Sequence, residues 1–328
     1  MKFITMKIES ILTKRSFVHH PSYDLVYEWE DILKEQLNCP IVNEKRILYR
    51  RFFNRIPLIP GIVQTNRISF KFEMTPIIRH RIDNKANIIP CIIDYFLQDK
   101  DLHDFVSSYN KNPFVCISSK EVYDYLVEKG VNNQVNIKHL PLSISDKYRI
   151  NERTIQEKKY DLLLMGRQNP VLKRFFDIYI EKHRDLYYVY REQKGDEYLY
   201  YTSRGECLGN INTREKYMSL MQLSKCGLYS TPGIDGGEIR TNGFNQVTPR
   251  FLELIACGCH VIARYKQNSD TDYYQLSDFL PSIEDYESFE RALDLSRKSN
   301  VDINKYSKYL SKHYTSNRVE SLLKIIES

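Results

Sequence analysis

The chain has 328 residues, of which 42% are hydrophobic and 27% are charged. This composition excludes disordered and collagen-like proteins, and no run approaches the roughly 18 consecutive apolar residues of a membrane-spanning helix. Because a chain of this length exceeds one ordinary hydrophobic core, we expect two α/β domains of about 150 residues each.

Cysteine usage and the first residues of the chain both favour a cytoplasmic protein. The seven cysteines are odd in number and scattered, which argues against a disulfide framework. Lys7 and Glu9 interrupt the first apolar residues, so we expect no secretory segment. Cys257 and Cys259 lack a second pair or a histidine at ligand spacing, and we predict no metal site.

The net charge of +6 is concentrated in the N-terminal half, above all in residues 45–55. In this basic segment, lysines and arginines alternate with isoleucine, leucine, tyrosine and phenylalanine. One interpretation is contact with an acidic acceptor or with the anionic inner face of the cell membrane. The other is a helix with a solvated basic face, and both stay open. Nucleic-acid binding is not expected, because no recognition motif accompanies the segment.

Short apolar runs alternate with helical patterns through the first half of the chain. We predict strands over residues 3–8, 68–74, 87–93 and 114–118, and helices over residues 24–37 and 120–129. This alternation is typical of a parallel sheet with helices on its faces. The polar run 151–159 lacks strand character, so we place a hinge at residues 143–158, between domains of residues 1–150 and 151–328.

A second series of strands and helices follows the hinge. The predicted strands are residues 161–165, 186–191, 227–230 and 260–263, and the predicted helices are residues 170–183, 213–224, 249–257 and 315–326. We interpret residues 192–212 as a polar excursion without strands. The last helix is amphipathic, and it could pack back across the hinge.

The most informative segment runs from Thr231 to Arg264 and consists of a glycine-rich loop, a helix and a strand. Thr248 is a good N-cap residue, and Pro249 suits the first position of a helix. The start of a helix presents unpaired amide groups and a positive dipole end, which together suit a phosphate. Arg250 in the first turn adds a charged donor for a diphosphate.

Three further charged side chains belong to this predicted site. Glu253 shares the helix face of Arg250, and its carboxylate suits a ribose diol; an ion pair between the two without any ligand is the alternative. Gly166 and Arg167 follow a predicted strand, and Lys173 lies in the next helix, where ligands bind in open α/β sheets. One interpretation is that Arg167 and Lys173 contact the same phosphates. The alternative is that they are ordinary solvated charges.

Residues 249–263 read Pro-Arg-Phe-Leu-Glu-Leu-Ile-Ala-Cys-Gly-Cys-His-Val-Ile-Ala. This segment resembles the donor-site motif of group 1 (family 4-like) glycosyltransferases, and most closely that of the spore-maturation-type branch. The resemblance implies a GT-B fold, in which two Rossmann-like domains with parallel sheets face a central cleft. It also implies that Glu253 binds the nucleotide ribose and that Arg167 and a downstream lysine contact the diphosphate.

Two positions depart from the family pattern. The family often carries a second glutamate eight residues before the ribose-binding one, and this chain has Asn245 there. It also often has a histidine beside an aspartate that ends a strand of the first domain, whereas Ile92 and Ile93 precede Asp94 here. The retaining or inverting outcome is therefore left open.

The resemblance implies a metal-independent glycosyltransferase without a cofactor. It would move a sugar from a nucleoside-diphosphate sugar to a glycan or lipid-linked acceptor in surface polysaccharide synthesis. For sugar positioning or acid–base work, the candidates are Asp235 and Glu238 on the glycine-rich loop. Asn245 is the third catalytic-site candidate, for binding the sugar or phosphate where the family has glutamate. Two alternatives stay open: a sugar-nucleotide epimerase on the same fold, and a non-catalytic GT-B-like binding subunit.

Overall fold

The computed structural model describes residues 6–19, 21–44, 68–78, 81–151, 157–195 and 197–327. The chain divides into two compact units, of which unit 1 comprises Met1–Ser145 and Thr315–Ser328, and unit 2 comprises Asp146–Tyr314. Each unit contains one six-stranded sheet. The predicted α/β class, with two mainly parallel Rossmann-like sheets, is therefore confirmed. The roles predicted for the two halves, acceptor side and nucleotide-sugar side, stay predictions.

Unit 1 has a fully parallel sheet in the order β2-β1-β3-β4-β5-β6. Its strands are β1 (Ile8–Thr13), β2 (Ile41–Asn43), β3 (Ile68–Glu73), β4 (Ile88–Ile92), β5 (Val115–Ile117) and β6 (Ile137–His139). Its described α-helices are α1 (Pro21–Leu37), α2 (Leu102–Tyr109), α3 (Lys120–Glu128) and the C-terminal α11 (Thr315–Glu327). Strand β4 is buried along its whole length, as expected for a parallel strand covered on both faces.

Most predicted elements of the first half agree with the structure. The strands predicted over residues 68–74, 87–93 and 114–118 are confirmed to within one residue at each end. The strand predicted over residues 3–8 is misplaced, because β1 begins at Ile8 and continues beyond the charged Glu9. Since Glu9 occupies an exposed position of the strand while its neighbours are buried, one charged residue does not end it.

The C-terminal helix α11 completes the hydrophobic core of unit 1. Val319 and Leu322 belong to the same buried apolar cluster as Ile11 of β1 and Phe70 of β3. Burying two such side chains contributes about 3–6 kcal/mol relative to leaving them exposed. Unit 1 is thus built from both ends of the chain.

Unit 2 has a mixed sheet in the order β10-β9-β8-β7-β11-β12. Its strands are β7 (Tyr160–Leu163), β8 (Tyr188–Lys194), β9 (Glu197–Thr202), β10 (Cys207–Asn210), β11 (Ser224–Ser230) and β12 (His260–Arg264). Its helices are α4 (Pro170–Lys182), α5 (Arg214–Gln222), α6 (Pro249–Ala256), α7 (Ser269–Tyr273), α8 (Leu276–Phe279), α9 (Tyr286–Lys298) and α10 (Ile303–Leu310). Strands β8, β7, β11 and β12 pair in parallel, whereas β8, β9 and β10 form antiparallel hairpins.

The prediction of a polar excursion over residues 192–212 is wrong, because β9 and β10 lie there. Strand β8 continues to Lys194, and Gly195, with a φ of 62°, begins the turn to Glu197. The tyrosine-rich strands of this hairpin appear polar in sequence because tyrosine carries an apolar ring with a polar tip. Five of the described helices were not predicted from the sequence: α2, α7, α8, α9 and α10.

The connections of the unit 2 sheet diverge between β7 and β11. From β7 the chain passes through α4 to β8 on one side, whereas from β11 it passes through α6 to β12 on the other. In open α/β sheets, ligands bind at such a divergence, beyond the carboxyl ends of the strands. The two carboxyl ends here are Leu163 and Ser230.

In the part of the chain that the structure describes, no helix has the length and apolar character needed to cross a membrane. The basic segment 45–55 lies outside the described residues. Its contact with a membrane surface therefore stays a prediction.

Candidate functional site

Two loops leave the carboxyl ends of β7 and β11, and each leads into a helix. Residues 164–169 join β7 to α4, and residues 231–248, called the glycine-rich loop below, join β11 to α6. The Asn169 side chain caps α4 by accepting hydrogen bonds from the Val171 and Leu172 amides at 2.9 and 3.0 Å. Because β7 and β11 are parallel neighbours, the positive ends of both helix dipoles lie at the same edge of the sheet.

The guanidinium group of Arg250 lies directly against the backbone of Gly166. A β-carbon built on Gly166 would lie 2.9 Å from Cζ of Arg250, which is closer than real β-carbons come. The φ of Gly166 is 68°, a left-handed conformation that glycine adopts without steric cost. The left-handed backbone favours glycine here, and a β-carbon would also oblige the Arg250 guanidinium group to shift. The structure brings together these two residues of the predicted site.

The Arg250 side chain has a hydrogen bond with Tyr217 and interacts electrostatically with Tyr200. Burial disfavours its charged form, but the interactions with Tyr217, Glu253 and Tyr200 outweigh burial and raise its pKa above the ordinary value. Its Nε atom is buried and has no hydrogen-bond partner among the described residues. Arg250 is thus a permanent cation with an unpaired donor atom.

The carboxylate of Glu253 is buried, since the residue is only 3% exposed. It already has partners within the protein. Arg214, the first residue of α5, forms an ion pair with it. The Tyr217 hydroxyl donates to its second oxygen at 3.1 Å. Among the ion pairs of the described residues, the one considered above between Arg250 and Glu253 is absent. Binding of ribose by Glu253 stays a prediction.

Sequence reasoning missed Arg214, although its position carries a signal. An arginine in the first turn of a helix opposes the helix dipole, so it needs a compensating partner. Arg214 is only 8% exposed, and the ion pair with Glu253 supplies that partner. The contact joins α5 to α6, and no spacing within either helix reveals it.

The start of α6 differs in one respect from the prediction. Pro249 occupies the first helical turn as predicted. Thr248 is the N-cap residue, as predicted, and has the extended backbone of that position, but its side chain accepts no hydrogen bond from the helix. The Thr248 amide instead donates to the Tyr229 hydroxyl at 3.1 Å. The Thr248 side chain therefore does not cover the first-turn amides of α6.

Asp235 of the glycine-rich loop is held firmly by its neighbours. Arg264, at the end of β12, donates to its two carboxylate oxygens at 2.6 and 3.0 Å. The Asn169 side-chain amide donates to the same carboxylate at 2.8 Å. The hydrogen bonds from Arg264 are the largest cause that lowers the pKa of Asp235. Asp235 is thus ionised at neutral pH and is unsuited to act as a general acid.

Glu238 lies between two arginines. Arg240 donates to its two carboxylate oxygens at 2.9 and 2.7 Å, and Arg167 forms a second ion pair with it. The hydrogen bonds from Arg240, followed by those from Arg167, lower the pKa of Glu238 to about 2. Glu238 is therefore an ionised group at any physiological pH, and its sugar-positioning role stays a prediction.

Asn245, where the resembling family often has glutamate, is 4% exposed. Its side-chain oxygen accepts from the Thr231 hydroxyl at 2.9 Å, and its side-chain amide donates to the Gly243 carbonyl at 2.8 Å. The Asn268 side chain donates to its backbone carbonyl at 3.2 Å. These bonds fix the end of the glycine-rich loop, and a catalytic role for Asn245 stays a prediction.

Lys173 lies in the first turn of α4, but its side chain follows the helix. It forms an ion pair with Asp177 one turn later and is 46% exposed. Its ammonium group also lies 5.7 Å from the ring centre of Phe176. These contacts fit the alternative of an ordinary solvated charge, and phosphate contact by Lys173 stays a prediction.

The described residues at this edge form a set of donors suited to an anion. Arg250 and Arg167 supply guanidinium groups, and α4 and α6 supply the positive ends of their dipoles. Among the described ranges, no group of three or more histidines, cysteines, aspartates or glutamates is arranged to hold a metal ion.

Comparisons with known proteins give similarity in structure alone. No family model and no curated protein matches the chain. Solved structures similar to it include a chain of the GtfA/B complex (TM-score 0.46, 13% identity, 85% of this chain and 60% of that one). Two others are sucrose-phosphate synthase from Thermosynechococcus elongatus (0.37, 12%, 80% and 66%) and the glycotransferase of kitacinnamycin (0.39, 11%, 97% and 99%).

The chain spans 60% and 66% of the first two of these structures. With TM-scores of 0.37 to 0.46, these similarities carry no argument about the reaction of this chain. The function has to be inferred from the donor-site motif and from the edge of the unit 2 sheet.

Proposed function

We propose that this chain is a GT-B glycosyltransferase that transfers a sugar from a nucleoside-diphosphate sugar to a glycan or lipid-linked acceptor. The observation that carries the proposal is the contact between Arg250 and Gly166 at the carboxyl edge of β7 and β11. It lies at the divergence of the sheet connections, where ligands of open α/β sheets bind. It also falls within the motif that resembles the donor site of group 1 glycosyltransferases.

In this proposal, the chemistry is electrostatic stabilisation of the departing nucleoside diphosphate. Negative charge develops on the diphosphate as the bond to the sugar breaks, and fixed cations stabilise it without reorganisation. Arg250 and the amides at the start of α6 supply this stabilisation, with Arg167 from the neighbouring loop. A metal ion is then not required. Glu253, held by Arg214 and Tyr217, accepts hydrogen bonds from the ribose.

The finer parts of the proposal follow from the motif resemblance. We assign the chain to the spore-maturation-type branch and to surface polysaccharide synthesis at the cytoplasmic side of the membrane. The basic segment 45–55 would supply the peripheral contact with anionic lipid.

A thermal-shift panel of nucleoside diphosphates and nucleotide sugars tests the proposal. A ligand that binds only the folded protein raises the melting temperature by mass action. We expect a shift with one nucleoside diphosphate, lost in Arg250→Met and reduced in Glu253→Gln. Arg174→Met is the matched control, because Arg174 lies exposed on α4. Failure of every nucleotide to stabilise the wild-type protein would refute the donor site.

A non-catalytic nucleotide-binding subunit is the second candidate function. The three candidate catalytic side chains, Asp235, Glu238 and Asn245, are all engaged in contacts of unit 2 itself. Tight nucleotide binding without release of nucleoside diphosphate, across a panel of glycan and lipid-linked acceptors, would favour this second candidate.

A further inference from the structure

We propose that Arg167 and Arg240 form a binding site for the phosphate groups of the donor, and that Glu238 occupies this site in the free protein. The inference rests on the proposed function and deepens it. It adds Arg240, which no sequence pattern indicates. It also makes Glu238 an internal competitor of the ligand instead of an acid or a base.

The geometry of the Glu238 carboxylate is that of a bound anion. Arg240 donates from Nε and Nη2 to the two oxygens at 2.9 and 2.7 Å, in the forked arrangement that guanidinium groups use for carboxylates and phosphates alike. Arg167 donates to one of the same oxygens from the neighbouring loop. The three side chains together carry one surplus positive charge, so a diphosphate with two or more negative charges balances the two arginines better than Glu238 does.

An incoming anion can reach both arginines from solvent. The side chain of Arg167 is 50% exposed and that of Arg240 is 69% exposed, whereas that of Glu238 is 10% exposed. The arginines therefore cover the carboxylate on the solvent side. A phosphate group that approaches this edge contacts the two cations before it meets Glu238.

The Glu238 carboxylate can leave the two arginines by side-chain rotation, without unfolding the loop. Left-handed residues bracket the segment 237–241: Asp235 and Gly236 precede it, with φ of 53° and 69°, and Asn242 and Gly243 follow it, with φ of 54° and 84°. Thr241, at the end of the segment, is fully buried, and its hydroxyl donates to the Glu238 carbonyl at 2.8 Å. The segment therefore stays in place, and the carboxylate leaves Arg240 by rotation of the Glu238 side chain alone.

Asp235 and Ile239, on either side of Glu238, differ in how firmly the protein holds them. Asp235 is bound through both oxygens by Arg264 and also by Asn169, so it anchors the loop. Ile239, between Glu238 and Arg240, is 84% exposed. An apolar side chain so fully in water gains free energy when it is covered, as a donor bound beside the two arginines would do.

Isothermal titration of UDP, GDP and inorganic diphosphate into the full-length chain tests the proposal. Removing the competing charge with Glu238→Gln should tighten binding about 3- to 10-fold, the factor expected from one or two partly exposed ion pairs. Arg240→Ala should weaken binding by about tenfold. In the double variant, the gain from Glu238→Gln should shrink, because the carboxylate then competes with the ligand only for Arg167. Glu290→Gln, which removes another carboxylate paired with a lysine, should leave affinity unchanged.

The three ligands separate this proposal from the proposed function. Should a nucleoside diphosphate bind the wild-type chain while Glu238→Gln leaves its affinity unchanged or weakens it, the internal competitor is refuted and the donor site stands. Binding of inorganic diphosphate alone, with the predicted response to Glu238→Gln, supports the two-arginine site and refutes the nucleotide-sugar function. If none of the three ligands binds, both proposals fail. Melting temperatures of the variants confirm that each is folded.

Discussion

Replacing Gly166 by alanine should separate the fold of unit 2 from its ligand site. The added β-carbon would lie 2.9 Å from Cζ of Arg250, so the guanidinium group has to move away from the loop after β7. The backbone φ of 68° also costs alanine about 1–2 kcal/mol relative to glycine. That cost lowers the melting temperature by about 2–8 °C in a domain of the size of unit 2.

A second glycine provides the matched control. Gly205 has a φ of 84°, and a β-carbon there meets no atom within 4 Å. Gly205→Ala should therefore show a similar loss of stability without any displacement of Arg250. Nucleoside diphosphate affinity, measured by titration calorimetry, should fall about tenfold or more in Gly166→Ala, through the loss of a charge-assisted contact, and stay unchanged in Gly205→Ala. Wild-type affinity in Gly166→Ala would refute the role of Arg250 as a ligand group.

Three further predictions concern stability and reactivity. Arg214→Met leaves the buried Glu253 without its ionic partner and should cost about 3–5 kcal/mol in denaturant unfolding, whereas a loss below about 1 kcal/mol would show that the pair is solvated. Burial is the largest cause that raises the pKa of Glu30 to about 7. The contribution of protonated Glu30 to the free energy of unfolding is thus fully present below pH 4.5. It declines by about 3 kcal/mol as pH rises towards 7. Fluorescence of Trp29, the single tryptophan, should report a urea midpoint that falls across this range, with a smaller fall in Glu30→Gln. Cys207 is exposed and the other six cysteines are buried, so a thiol reagent should modify one cysteine rapidly in the native protein, and fast labelling of two or more would contradict this.

The strands at the centres of the sheets could be predicted because the local sequence pattern shows that they are buried. Strand β4 is buried throughout, and a continuous apolar run of that length has few other interpretations. The start of α6 at Pro249 was predictable for a similar reason, since proline fits only the first turn. Strands at or next to the edges of the sheets were harder to predict. The tyrosines of β9 and the three residues of β2 carry too little periodicity to indicate a strand.

The partners of the site residues could not be predicted, because long-range packing decides them. Glu253 was expected near Arg250 from their helical spacing, but Arg214 of another helix takes its carboxylate. Glu238 was a loop candidate for sugar positioning or acid–base work, yet two arginines hold it. A sequence shows which residue types are available at an edge of a sheet. The sequence does not show which of two nearby cations forms the ion pair with a given carboxylate.

The discontinuous build of unit 1 has a consequence for the order in which the protein matures. Unit 2 consists of one uninterrupted stretch, Asp146–Tyr314, whereas unit 1 requires Thr315–Ser328 in addition to Met1–Ser145. During synthesis, unit 2 can therefore close its core as soon as its own residues have left the ribosome. Unit 1 is made first but has to wait for Val319 and Leu322, so the earlier part of the chain is the later one to be finished.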